Sequence, residues 1–374
     1  MLKGERLDRP TYTFLHTLGE GNTAVCVVAE HAIFGCQVVQ KTVSMLGLKD
    51  AFVVSEPELL KRIEHDRIVD VWEAQWEPSP EWVGLEAITF TTPYYAGGSV
   101  YTALMEGYEF GVGGVIRVGL HVLAALDHMH AGNRLLHRDV KPANIMLSAD
   151  RRDAYLGDLG SAAYFMNDQG GVDARAGSPL YLPPEAGVTG SVTVRADLYS
   201  LGMTLLEMLN GRLPYEALDP ISIDKRLSEG QRSLPDKHFI LEPWVPKPLA
   251  TFIRSLTNSD PEKRPVSAAE ALRALRDLRV VDWERTGGAG RLGTWVGSWP
   301  PDVERSERRI HEVTLAPVGR RSDAGRIKAT ARWCRPGRGW RNYAKLTRTL
   351  DPTTASLAKF FRSVEDAAQS APTR

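Results

Sequence analysis

The chain has 374 residues, of which 43% are hydrophobic and 25% charged, as expected for a globular protein with a sizeable core. Positive and negative side chains balance at 46 each, and three cysteines are too few for a disulfide framework or a zinc site. The chain shows no secretory signal and no run near the ~18 apolar residues of a membrane helix. We therefore expect a cytoplasmic protein without a membrane partner.

The first hundred residues favour a small β-rich lobe over about residues 10–95. Residues 58–63 have a helix-forming composition, and a Gly-x-Gly turn separates the first two strand-like segments. Alternating or β-branched patterns that predict strands occur at 12–15, 24–29, 37–41, 68–76 and 82–91.

Helical periodicity follows and predicts a second lobe over about residues 96–281. The glycine-rich segment 286–290 favours a linker at 282–292, and an accessory domain would then occupy 293–374. Apolar spacing typical of buried helical faces occurs at 115–130, 197–209, 249–256 and 267–278.

Residues 137–144, with the sequence HRDVKPAN, carry the strongest chemical signal. Asp139 can take a proton from an attacking hydroxyl, and Lys141 can neutralise a phosphate. Asn144 can coordinate a hard cation, and so can Asp158 in a later Asp-Leu-Gly. Phosphoryl transfer needs this inventory, because its catalysis is mostly positioning and charge neutralisation.

The string HRDVKPAN resembles the catalytic loop of eukaryotic-type serine/threonine protein kinases. The resemblance implies an α+β, bilobal kinase fold that transfers a phosphoryl group from ATP to Ser or Thr hydroxyls of protein substrates. It also implies that Asp139 is the base, that Lys141 steadies the phosphate, and that Asn144 and Asp158 hold Mg²⁺. Lys141 favours a protein kinase over small-molecule phosphotransferases with related loops.

Other residues match the nucleotide-binding elements of the same family. Gly19 and Gly21 correspond to its glycine loop, where a backbone without side chains can approach phosphate. Lys41, 22 residues after Gly19, corresponds to the lysine that holds the α- and β-phosphates. Tyr95 lies in the segment that joins the lobes and should offer backbone groups to adenine. Cys26 replaces the usual Val and is most simply a structural thiol.

The acidic partner of Lys41 is left open by the sequence. Counting back from the turn after the helix selects Glu56, but Pro57 disfavours α geometry in the residue that precedes it. Glu58 is therefore the alternative partner. The resemblance further implies that Glu185 pairs with Arg264 and that Asp197 braces the catalytic loop.

The activation segment lacks the residues that are usually phosphorylated. Residues 167–177 contain no Ser, Thr or Tyr, and Ala174 stands at the expected acceptor position. We hypothesise that the neighbouring Asp173 supplies a permanent carboxylate to Arg138, so that the kinase is active without loop phosphorylation. A solvated loop acid is the alternative interpretation.

The C-terminal quarter is a separate electrostatic unit. Residues 303–350 contain 13 Lys or Arg and 4 Asp or Glu, a net +9 that leaves −9 for the rest of the chain. Five of the nine tryptophans follow residue 282, which argues against disorder. Strands are expected at 312–315, 327–334 and 340–346, and a helix at 354–369.

Arginines interleaved with Trp333, Trp340 and Tyr343 fit a nucleic-acid ligand or an acidic protein partner. A solvated face without a ligand is the simplest alternative. Two other function classes stay open at this point: a pseudokinase scaffold, and a nucleic-acid-binding adaptor that acts through this domain.

Overall fold

The computed structural model describes most of the chain, with short gaps, and the statements below concern that part. The described ranges are 10–20, 24–44, 56–76, 87–166, 171–174, 177–304, 306–319 and 325–370.

The N-terminal lobe is built on a five-stranded antiparallel sheet in the order β1-β2-β3-β5-β4. Alternation places Val28 and Val38 on its buried side, and the helix α1 (Glu56–Arg62) adds Leu59 and Leu60 to the core. The strands are β1 (Tyr12–Glu20), β2 (Ala24–His31), β3 (Cys36–Ser44), β4 (Glu73–Trp76) and β5 (Ala87–Pro93).

The strand expected at 68–76 is shorter than predicted. Only Glu73–Trp76 joins the sheet, while Ile68 forms an isolated bridge with Leu156 of the other lobe. The β-branched residues at 68–71 are buried at the junction between the lobes. Their apolar character therefore results from this burial and not from pairing in the sheet. Residues 82–86 of the last predicted strand lie outside the described residues.

The C-terminal lobe is helical, and its central helix is buried. Helix α3 (Val112–Asp127) continues into one π-helical turn, His128–Gly132. This stretch is long and apolar enough to cross a membrane, but half of its most apolar window is buried and it packs against its helical neighbours. The other helices are α2 (Val100–Met105), α4 (Pro184–Thr189), α5 (Val194–Asn210), α6 (Pro220–Ser228), α7 (Lys247–Leu256) and α8 (Ala268–Arg276).

Three two-stranded ladders lie among the loops of the described part of the C-terminal lobe. They pair β6 with β9, β7 with β8, and β10 with β11. Their strands are β6 (Leu135–Leu136), β7 (Ile145–Leu147), β8 (Ala154–Leu156), β9 (Ala163–Tyr164), β10 (Val172–Asp173) and β11 (Ser191–Val192).

The C-terminal domain is an antiparallel sheet covered by one helix, α9 (Thr354–Gln369). Trp283 and Trp295 pack edge-to-face on Phe361 of that helix, with ring centroids 5.5 Å apart in both pairs. The strands are β12 (Asp282–Ala289), β13 (Leu292–Trp299), β14 (Arg309–Pro317), β15 (Ile327–Cys334), β16 (Arg341–Asn342) and β17 (Arg348–Leu350).

The linker predicted at 282–292 is wrong, because these residues form β12 and its hairpin turn. The glycines serve the turn: Gly288 and Gly290 have φ of +94° and +59°. The accessory sheet therefore starts at 282 rather than 293. The strand predicted at 340–346 is also too long, since β16 is followed by a turn in which the Leu346 N–H donates to the Tyr343 carbonyl.

The two domains share a continuous apolar core, which runs from α3 through Val281 and Trp283 to α9. The carboxylate of Asp282 accepts the Gly113 N–H at 2.7 Å, in the first turn of α3. A Cβ at Gly113 would lie 2.6 Å from that carboxylate, so the close approach requires glycine.

Candidate active site

Lys41 joins three elements at the cleft between the lobes. It lies on β3, and its Nζ is 2.7 Å from Glu56 Oε2 on α1 and 2.9 Å from Asp158 Oδ1 on the loop after β8. One lysine between two carboxylates gives the cluster a net charge of −1 when both acids are ionised. The cluster can therefore accommodate an added cation.

Burial and charge act against each other in this cluster. Burial disfavours the charged form of Asp158, but the Lys41 ammonium outweighs it and holds the pKa of this carboxyl below its usual value. Burial would lower the pKa of Lys41, but Glu56 and Asp158 raise it above its ordinary value. For Glu56, burial is the stronger effect and raises the pKa. The Lys41 ammonium therefore favours the ionised form of Asp158.

The structure resolves which glutamate contacts Lys41. Helix α1 begins at Glu56, so Pro57 lies in the first turn, where its missing N–H removes no helical hydrogen bond. Glu58 points to solvent and pairs with Arg62 at 3.0 Å. The alternative partner is therefore excluded as a contact of Lys41.

Asp139 is nearly buried, and both of its carboxylate oxygens accept hydrogen bonds. Oδ2 lies 2.6 Å from Lys141 Nζ and accepts the Asn144 amide at 3.1 Å, while Oδ1 accepts the Ser178 N–H at 2.8 Å. Lys141 also donates to the Ser178 hydroxyl at 2.8 Å. Asp139, Lys141 and the segment after the activation loop are therefore in direct contact.

The backbone of the catalytic loop is held by Asp197 at the start of α5. Its carboxylate accepts the N–H groups of His137 and Arg138 at 2.9 and 2.8 Å, and it contacts His130 Nε2 at 2.8 Å. Burial opposes the charge of Asp197, but the His130 hydrogen bond and nearby charges keep its pKa below the usual value. The expected brace is present, and His130 is a member that sequence reasoning missed.

The donor set of Asn144 and Asp158 suits a hard cation. The Asn144 amide nitrogen donates to the Asp139 carbonyl at 2.8 Å, which leaves the amide oxygen as a ligand. Asp158 is ionised, and its left-handed backbone (φ +60°) is a strained conformation of the kind found at functional sites. An oxygen-only pair of this kind fits Mg²⁺, which takes few protein ligands.

The predicted nucleotide-binding residues lie around the same cleft where they are described. Gly19 lies on β1 opposite Cys26, with open space where a side chain would project, and Gly21 lies outside the described residues. Cys26 pairs in register with Lys41, and burial raises the pKa of its thiol. Tyr95 follows β5 and packs on Tyr155 of the other lobe, 4.7 Å between ring centroids.

The activation segment is anchored by main-chain and apolar contacts. Arg138 donates from Nε to the Ser161 carbonyl at 2.5 Å and from Nη1 to the Asp173 carbonyl at 2.7 Å. Ala174 is buried, and its N–H donates to the Gly190 carbonyl at 3.0 Å. Ala174 packs in a small apolar cluster with Leu136, Phe165, Ala186, Val192 and Ala196.

Glu185 and Arg264 form the expected ion pair. Two parallel contacts of 2.6 and 2.7 Å join them, and the arginine side chain is fully buried. The planar fork of Arg264 suits this bidentate geometry. The pair fixes the helix after the activation segment to the base of the lobe.

A sequence model of the protein kinase domain matches residues 12–275, which is more than two thirds of the chain. The chain belongs to the protein kinase family. The match covers both lobes described above, so the prediction of a bilobal kinase fold is confirmed. It ends before β12, and the C-terminal sheet lies beyond it.

Curated relatives of this kinase are serine/threonine kinases. The serine/threonine-protein kinase ULK3 of Xenopus laevis is 31% identical over 305 residues, which cover 80% of this chain and 61% of that protein. The kinase sid1 of Schizosaccharomyces pombe is 27% identical over 62% of this chain and 48% of its own length. Mouse Nek2 is 27% identical over 61% and 53%. The chain thus spans about half to three fifths of these relatives.

Proposed function

We propose that this kinase transfers the γ-phosphoryl group of ATP to Ser or Thr hydroxyls of protein substrates. The observation that carries the proposal is the contact of Asp139 with Lys141, together with the bridge from Lys41 to Glu56 and Asp158. A base, two phosphate-directed cations and a pair of oxygen ligands then face one cleft. This is the set that phosphoryl transfer requires.

In this proposal Asp139 orients the acceptor hydroxyl and takes its proton. Lys141, held at 2.6 Å from that carboxylate, neutralises charge on the transferred phosphate. Lys41 is fixed by Glu56 and directs its ammonium at the donor phosphates. Asn144 and Asp158 would hold Mg²⁺, which supplies charge neutralisation of the nucleotide phosphates when bound.

We further propose that the activation segment is ordered without phosphorylation. Arg138 already donates to two main-chain carbonyls, those of Ser161 and Asp173. Ala174 occupies an apolar cluster, in which the burial of a phosphate would be unfavourable. The hypothesis that the Asp173 carboxylate serves Arg138 as a permanent counter-charge stays a prediction. The 2.7 Å hydrogen bond from Arg138 goes to the main chain. Burial lowers the pKa of Arg138, and the charge of Asp173 opposes this lowering.

Incubation of the purified chain with labelled ATP, Mg²⁺ and a Ser/Thr/Tyr peptide library tests the activity. We expect label on Ser or Thr by phosphoamino-acid analysis, and a loss of about 10²–10⁴-fold in Asp139→Asn. Asp302→Asn, an exposed acid far along the chain, is the matched control. Equal incorporation by wild type and Asp139→Asn, or none by either, would leave the pseudokinase scaffold as the better description.

A further inference from the structure

One end of the C-terminal sheet carries arginines without acidic partners. We call it the arginine–tryptophan edge: Arg335, Arg338 and Arg341, with Trp333 and Trp340. Within the part of the chain that the structure describes, no Asp or Glu oxygen lies within 4.0 Å of the three guanidinium groups. All three arginines are exposed. The edge is therefore an uncompensated positive surface, as an anionic ligand requires.

Trp340 is exposed, and its ring packs against Arg332, an arginine that already forms an ion pair. Arg332 makes two contacts with Glu312, at 2.7 and 2.9 Å, so its charge is already paired. Its guanidinium also lies 4.5 Å from the centre of the Trp340 ring. That ring still has 42% of its surface exposed. Arg332 thus acts as a support for Trp340 and leaves the ligand to the other arginines.

The positive charges at this edge are crowded together. Arg309 and Arg341 lie 5.4 and 5.6 Å from the centre of the Trp333 ring. Burial and the nearby charge of Arg335 lower the pKa of Arg309. Like charges this close repel one another, and a bound polyanion would relieve that repulsion.

The turn between β15 and β16 leaves its backbone accessible. The Arg338 N–H donates to the Arg335 carbonyl at 2.9 Å, which closes the turn. Gly337 has a φ of +69°, and no atom lies within 4 Å of the position of a side chain at Gly337 or Gly339. A phosphate group can therefore approach the main chain between the arginines.

We propose that the arginine–tryptophan edge binds single-stranded nucleic acid, with Arg335, Arg338 and Arg341 on phosphates and a base stacked on Trp340. An acidic peptide would also pair with the arginines, but its carboxylates gain nothing from an exposed indole ring. Bases do, because stacking on aromatic side chains supplies much of the affinity of single-strand binding. The combination of cations and a supported ring therefore favours nucleic acid.

Fluorescence anisotropy of the full chain with fluorescein-labelled (dT)20 and (rU)20 tests this proposal. Three phosphate contacts add a slope of about −2 to log affinity against log salt, so raising salt from 50 to 200 mM should weaken wild type about 20-fold more than R335A/R338A/R341A. Trp340→Ala should weaken binding about 5- to 100-fold without changing that slope. Trp340→Phe, which keeps an aromatic ring, should retain most of the wild-type affinity.

The matched control is R254A/R273A/R276A, which removes three exposed arginines from α7 and α8 and should bind as wild type. Circular dichroism of each variant confirms that it is folded. Absence of binding to both oligonucleotides at 50 mM salt would overturn the proposal, and so would equal losses in the two triple variants. If Trp340→Ala had no effect and polyglutamate competed as well as unlabelled (dT)20, the edge would be a dock for acidic polypeptides instead.

Discussion

The Nζ of Lys41 lies 2.7 Å from Oε2 of Glu56, although Glu56 is followed directly by a proline. The proline is tolerated because it occupies the first helical turn, so the helix starts late and Glu56 stands at its very beginning. The short helix therefore presents its first residue, rather than an interior one, to the cleft.

Glu56→Gln should lower kcat for peptide phosphorylation by about 10²-fold. The Lys41 ammonium keeps its charge, but the Glu56 carboxylate no longer holds it where phosphate charge develops. Glu58→Gln is the matched control: this exposed glutamate contacts Arg62 instead, and we expect activity within about 2-fold of wild type. Steady-state kinetics with a single peptide substrate makes the comparison. Similar losses in both variants would contradict the assignment of Glu56.

Asp173→Ala should keep peptide phosphorylation within about 3-fold of wild type, because Arg138 contacts the main-chain carbonyl at 173 and not only its side chain. Ala174→Asp should instead reduce activity strongly, since it places a carboxylate in the apolar cluster around Ala174. Initial rates of enzyme shown by mass spectrometry to be unphosphorylated in this loop provide the measurement. A gain of activity in Ala174→Asp would point to ordinary control by phosphorylation.

Much of the site could be predicted because its chemistry lies in one short segment. Asp139, Lys141 and Asn144 are separated by fixed numbers of residues, so one loop conformation places them together. The helix expected at 354–369 after Asp351-Pro352 agrees with α9 at both ends, and the structure adds Thr353 as its N-cap.

Contacts between distant residues, or with main-chain atoms, could not be predicted in the same way. Ser178 lies 37 residues from Lys141, and no local sequence pattern predicts the hydrogen bond between these two side chains. Arg138 contacts carbonyl groups, which every residue type supplies. The glycine-rich segment at 286–290 has the composition of a linker but forms a hairpin. Its pairing with β13 is what distinguishes a hairpin from a linker, and that pairing depends on residues outside the segment.

Asp282→Ala should lower the free energy of unfolding by about 1 kcal/mol, because its carboxylate accepts the N–H of Gly113 at the positive end of α3. Asp302→Ala is the matched control, since its ion pair with Arg279 is exposed and should contribute less than about 0.5 kcal/mol. Urea unfolding followed by circular dichroism gives both values. Equal losses in Asp282→Ala and Asp302→Ala would mean that the Asp282–Gly113 contact stabilises the protein no more than an exposed ion pair does.

Glu365 should make the stability of the C-terminal domain depend on pH. This buried carboxyl on α9 accepts the Trp283 indole N–H at 2.9 Å. Burial raises its pKa to about 7, from 4.5 for an ordinary glutamate. Between these two values the folded protein holds a proton that the unfolded chain has lost, so the contribution of Glu365 is complete below 4.5 and is lost as the pH rises to 7.

Glu365→Gln keeps an acceptor for Trp283 but cannot ionise, so it should be close to wild type in stability at pH 5 and more stable by up to about 3 kcal/mol at pH 8. Urea unfolding of both proteins at the two pH values measures this difference. Glu307→Gln, at an exposed position, should show no such change between pH 5 and pH 8. A Glu365→Gln difference that is the same at both pH values would mean that the buried carboxyl titrates normally in the folded protein.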